Sequence, residues 1–182
     1  MRLRLILSAT TAVLLVGCAS PNSTPGTNAT SNTPGSNGVH NSSTPPSTTF
    51  SQQEPVTTAL RHLKFRIKQP KWFPFVKGAS SAMITTTDNK YQRIDITYLN
   101  KSSDREIKEE VSNSQISVSG ANVNVKLTNG TNAHFQSGAT ESSLSWSSNG
   151  LYYVLSSSKN INTNPKPDLN EIDLEKIANS MI

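Results

Sequence analysis

Apolar and polar residues follow three different patterns along this chain. From Leu5 to Val16 nearly every residue is apolar, interrupted only by Ser8, Thr10 and Thr11. From Ala19 to about Pro55 apolar side chains almost vanish, with Val39 and Phe50 the only sizeable ones. From Val56 onward apolar residues return at regular spacings. Leu60 and Leu63 lie three apart with Val56 one turn earlier, which predicts a short helix over Val56–Leu63. Phe65 and Ile67 then alternate with charged residues like a short strand. Pro70 and Pro74 bracket Lys71-Trp72-Phe73, which predicts an extended or turning segment that Gly78 closes.

Strand alternation dominates after that. Ala82 and Ile84 lead to a turn candidate at Asp88-Asn89. Ile94, Ile96 and Tyr98 alternate with Arg93, Asp95 and Thr97. Asp104–Val111 is densely charged, with Ile107 and Val111 four apart. It fits an edge strand or one helical turn, and we read it as strand. Val123, Val125 and Leu127 run up to Asn129-Gly130, with Ala133 and Phe135 beyond. Leu144 and Trp146 run up to Asn149-Gly150, with Leu151–Leu155 beyond. Asn-Gly between alternating runs predicts hairpins, because both residues accept positive φ. Pro165 and Pro167 should stop the strand region. Asp168, with Glu171 three residues on, resembles a capping box. Leu174, Ile177, Ala178, Met181 and Ile182 fall at helical spacing, opposite Asp173, Glu175, Lys176 and Asn179. The expected fold is α+β: a curved antiparallel sheet, a meander with Asn-Gly hairpins, covered by a C-terminal amphipathic helix and preceded by a short N-terminal helix.

The first pattern carries a location. Arg2 and Arg4 precede an apolar run that falls short of the ~20 residues needed to span a bilayer, so it reads as a secretory signal. It ends in Leu15-Val16-Gly17-Cys18, and Cys18 is the single cysteine. This resembles the lipobox of bacterial lipoproteins. That resemblance implies a diacylglycerol on the Cys18 sulfur, cleavage just before it, and a mature N-terminus carrying two or three acyl chains (palmitate-like). One chain anchors marginally, whereas two or more hold firmly. The chain therefore divides into a signal peptide (1–17), a lipidated cysteine with a disordered Ser/Thr/Asn/Pro-rich tether (18–55), and an α+β domain (56–182). As a flexible coil, a tether of this length reaches ~35 Å.

Composition narrows the chemistry. With Cys18 lipidated the mature chain has no free thiol, hence no disulfide, cysteine metal site or cysteine nucleophile. The net charge of +5 falls to about +3 once Arg2 and Arg4 leave with the signal, too little for a nucleic-acid binder. His40, His62 and His134 are scattered, and no metal or other cofactor is expected. Neither a Gly-x-Ser-x-Gly elbow nor a phosphate-cradling Gly loop occurs. Ser156-x-x-Lys159 trails a strand instead of opening a helix. Glu109 and Glu110 are adjacent and should point to opposite faces, so they should not cooperate. The aromatics Trp72, Phe73 and Phe75, and Trp146, Tyr152 and Tyr153, fit core packing first. Trp72 and Phe73 are the ligand-binding exceptions, because a Pro-bracketed segment cannot be a central strand.

Three stretches together resemble the bacterial domain of unknown function 4367: Ile67–Pro74, Leu144-Ser145-Trp146 with Gly150 and Tyr153, and Leu174–Ser180. The resemblance covers Val56–Ile182 and departs at Trp72-Phe73-Pro74-Phe75, where that family more often has Tyr-Leu-Pro and then Gly. It implies a half-open sheet like those of periplasmic lipoprotein carriers and envelope-stress sensors, and it implies no activity. The expected function is a non-enzymatic binding or sensing module. It would be lipid-anchored on the extracytoplasmic face of the cell membrane, with the membrane and an envelope protein or wall polymer as partners and no nucleic acid. The alternatives are a carrier or chaperone holding a lipid or apolar peptide between sheet and helix and, third, a cell-wall hydrolase.

Overall fold

The computed structural model describes residues 47–116 and 123–182. Cys18, the signal and most of the tether lie outside the described residues. Within them the elements run β1 (Thr48–Phe50), α1 (Val56–His62), β2 (Lys77–Thr87), β3 (Tyr91–Asn100), β4 (Arg105–Ser112), β5 (Val123–Lys126), β6 (Asn132–Ser137), β7 (Ser142–Ser148), β8 (Leu151–Lys159), β9 (Lys166–Pro167) and α2 (Glu171–Asn179). The strands form one open antiparallel sheet in the order β1-β2-β3-β4-β8-β7-β6-β5, with β9 paired to the far end of β8. The fold is mainly β with two short helices.

The turn residues explain the hairpins. Asp88 and Asn89 between β2 and β3, and Asn149 and Gly150 between β7 and β8, all have positive φ. Left-handed residues of this kind let a tight turn follow the twist of its two strands. The β5–β6 connection is built differently. Only Gly130 is left-handed there, at φ +86°, and its N–H donates to Leu127 O while Leu127 N–H donates to Thr131 O. Asn129-Gly130 still marks a hairpin, with a longer loop.

Strand alternation sorts the side chains. One face gathers Ile84, Ile94, Ile96, Tyr98, Ile107, Val111, Leu144, Trp146, Tyr153 and Leu155, all buried. It is closed by Val56 and Ala59 of α1, by Leu174, Ile177 and Ala178 of α2, and by Met181. Leu63, Phe65, Ile67, Trp72, Phe73 and Phe75 pack against the same core.

Five expectations differ from the structure. The last residues assigned to the tether belong to the sheet: Thr48–Phe50 pair with Thr85–Thr87, and Glu54 bridges Ala82. A segment added to an existing edge needs backbone partners and no core of its own, so composition does not reveal it. Phe65 and Ile67 alternate in burial yet join no ladder, because the segment crosses the core layer. Charged β4 is a central strand, flanked by β3 and β8. At the C-terminus Pro167 lies in β9, opposite Ser158. Asp168 pairs with Arg105 at 2.6 Å instead of capping α2. The cap is Asn170, whose side chain accepts from Asp173 N at 3.0 Å.

Candidate functional site

The face of the sheet opposite the core is polar, and the register assembles it in rows. Ser81, Thr97, Lys108, Ser156, Ser143 and Gln136 lie side by side across β2, β3, β4, β8, β7 and β6. The next row is Met83, Asp95, Glu110, Val154, Ser145 and His134. A third brings Phe50 of β1 beside Thr85, then Arg93, Ser112 and Tyr152. After β4 the chain turns back so that Gln115 and Ile116 border this face.

A groove of about 710 Å³ runs over the middle of these rows, lined by Asp95, Glu110, Glu141, Arg93 and Lys108 with Ser81, Thr97, Ser143, Ser156, Gln53 and Gln136, and by the apolar Met83, Ile116 and Val154. Two flanking hollows of about 530 and 500 Å³ share Ile116 with it. The first contains Phe50 and Tyr91, the second His134 and Tyr152. Each volume lies in the usual range of ligand sites.

Asp95 and Glu110 stand directly opposite each other, and Arg93 joins them: Nε is 3.1 Å from Asp95 Oδ2 and Nη1 is 3.4 Å from Glu110 Oε1. Both carboxylate side chains are only 28% exposed. Burial pushes both above the usual carboxylate range, against the pull of Arg93; Asp95 and Glu141 push Glu110 further the same way. The result is a fixed set of acceptors and donors in a partly dehydrated trough. Thr85 Oγ1 and Gln136 Oε1, on the same face, are covered and have no protein hydrogen-bond partner.

Glu109 and Glu110 do point to opposite faces. Glu109 is fully buried in the core, where it accepts from the Tyr98 hydroxyl at 2.8 Å, and burial pushes its carboxyl up to about 8. Glu110 finds its carboxylate neighbour across the ladder in Asp95. Sequence reasoning weighed only adjacent carboxylates, and nothing local announces a pair separated by fifteen residues. The outward alternation of Asp95 was the one available signal. Ser156 and Lys159 are three apart on one strand, hence on opposite faces.

Trp72 and Phe73 diverge. Lys176 of α2 sits over the Trp72 ring at 4.0 Å, while Phe73 packs on Tyr98 with centroids 4.9 Å apart. Both belong to the core side, and neither lines the polar groove. Trp146 and Tyr153 stack at 5.1 Å in the core. They floor a cleft of about 310 Å³ with Phe65, Ile67, Leu151, Met181 and Ile182, edged by Arg66 and Lys68. Of the histidines, His62 Nδ1 lies 3.5 Å from Glu54 Oε1, His134 borders the polar face, and His40 is outside the described residues. Among the described residues no group of three or more metal-ligating side chains comes together, and no helix is long and apolar enough to cross a membrane.

Compared with known protein families, with characterised proteins and with solved structures, the chain matches none.

Proposed function

We propose that this chain is an extracytoplasmic lipoprotein, anchored through Cys18, whose domain is a non-enzymatic binding module working through the polar face of its sheet. The observation that carries the reading is the groove of about 710 Å³ on that face, with Arg93, Asp95 and Glu110 tied together at its centre. A solvated sheet face needs polar residues, but it does not need carboxylates sunk to 28% exposure. Curvature of the sheet around the groove, and kinship with the bacterial domain of unknown function 4367, belong to the same proposal. The partner is an envelope component, either a wall polymer or a protein. Trp72 and Phe73 serve packing in this reading, because Lys176 and Tyr98 already cover their rings.

The carrier reading keeps one observation in its favour, the cleft of about 310 Å³ with an apolar floor and a basic rim. Against it, the space between sheet and α2 is filled by Leu174, Ile177 and Ala178, all fully buried. A hydrolase would need one carboxyl free to give its proton and one free to receive. Asp95 and Glu110 instead share a guanidinium.

Two measurements test the proposal. Cys18→Ala should shift the protein from membrane to medium, or leave it uncleaved; a cleaved protein that stays on the membrane would refute the anchor. In that anchor-free background, Asp95→Asn with Glu110→Gln should abolish retention on washed envelopes of the source cell. Undiminished retention would remove the polar face from consideration.

A further inference from the structure

The groove's composition narrows its ligand. Three carboxylates, Asp95, Glu110 and Glu141, face two cations within it, Arg93 and Lys108. Asp95 and Glu110 are already ion-paired with Arg93. A strongly anionic chain such as a polyphosphate would meet three carboxylates, and a polycation would have to displace Arg93. What remains at the centre is the planar hydrogen-bonding capacity of the ion-paired Arg93, Asp95 and Glu110. One end of the trough adds exposed rings: Phe50 is 66% and Tyr91 39% exposed, and both border the hollow that continues the groove past Arg93 and Glu110. Two exposed rings at one end of a polar cleft offer faces on which a ligand can stack. Lys90 Nζ lies 4.9 Å from the Tyr91 ring centroid.

Rings beside fixed carboxylate and guanidinium groups suit one ligand chemistry above others. A sugar ring offers an apolar C–H face for stacking and a rim of hydroxyls or amides for bidentate hydrogen bonds. An extended peptide, by contrast, is captured along a sheet edge through its main chain, whereas this groove crosses the side-chain face of central strands. We infer that the polar face binds an uncharged glycan strand, with Phe50 and Tyr91 as the stacking platform and Asp95, Glu110 and Arg93 reading its hydroxyl or acetamido groups. The inference rests on the proposed function above and gives its site a ligand class.

The test is calorimetric titration of the full chain carrying Cys18→Ala with a neutral N-acetylglucosamine hexamer and, separately, a glycerol-phosphate oligomer. The hexamer should bind and the phosphate oligomer should not. Phe50→Ala and Tyr91→Ala should each weaken the hexamer about five- to tenfold; both sites are exposed, so the fold survives. Asp95→Asn with Glu110→Gln should remove binding. No hexamer binding, preference for the phosphate oligomer, or indifference to both ring variants would each overturn the glycan assignment. Retention on washed envelopes separates the two levels. If it depends on Asp95 and Glu110 while the hexamer does not bind, the polar face stands and the glycan falls. If it is independent of them, the site itself falls.

Discussion

Glu109 is the residue where sequence and environment conflict most. It lies in a run of charges that reads as solvated, yet strand alternation turns it inward with Ile107 and Val111, and the β4–β8 ladder seals it there. The Tyr98 hydroxyl satisfies Oε2, while Oε1 has no partner. A buried carboxyl in this position keeps its proton, and the sign of the consequence is fixed. The unfolded chain releases that proton near 4.5 and the folded chain near 8. The contribution of Glu109 to folding stability is therefore greatest below about pH 4.5 and declines as pH rises toward 8, by at most ~1.4 kcal/mol per pH unit. Asp95 and Glu110, also raised, act in the same direction. Denaturant melts between pH 4 and 9 should show this decline, and Glu109→Gln should flatten most of it. An unchanged slope in Glu109→Gln would mean that the proton is not held there.

At the scale of elements, stability depends on a few chain reversals and one cap. Gly150, at φ +75°, closes the β7–β8 hairpin in a conformation that costs a side-chain-bearing residue ~1–2 kcal/mol. Gly150→Ala should lose about that much by denaturant melt. Gly78, inside β2, is required for a different reason: a Cβ there would lie 2.7 Å from Asn100 O, at the point where the β2–β3 register shifts. For α2, Asn170→Ala should cost ~1 kcal/mol, because Asn170 holds the Asp173 N–H, whereas Glu171→Gln should change little. That contrast separates the observed cap from the Asp168–Glu171 box suggested by spacing. Trp72→Ala should destabilise by ~1–2 kcal/mol through lost packing against α2 and leave envelope retention intact.

For the whole molecule, the decisive fact is that the sheet begins before the helix. β1 covers the outer edge of β2, and Ser51 Oγ accepts from Ile84 N at 2.8 Å. A chain shortened to start at Val56 would expose that edge, an open template for pairing with another chain. It should melt earlier and self-associate in light scattering, whereas one starting at Ser47 should self-associate less and match the stability of the full chain. Equal behaviour of the two would show that β1 contributes nothing to the fold.

The sequence by itself determined what depends on neighbours a few residues away. Alternation at Ile94–Tyr98 and Leu144–Trp146, the left-handed turn residues, and the apolar stripe from Leu174 to Met181 each place an element, because backbone sterics and periodicity act locally. They also place the carboxyls of Glu109 and Glu110 on opposite faces. Only the tertiary structure decided what depends on partners distant along the chain. It made charged β4 central by pairing it with β8, about fifty residues on. It drew Asp168 away from α2 to Arg105, enlisted the end of the tether as β1, and set Asp95 against Glu110 beneath a single guanidinium. Register is a property of two strands at once, and neither strand's sequence contains it. The groove was therefore not legible from the residues that line it.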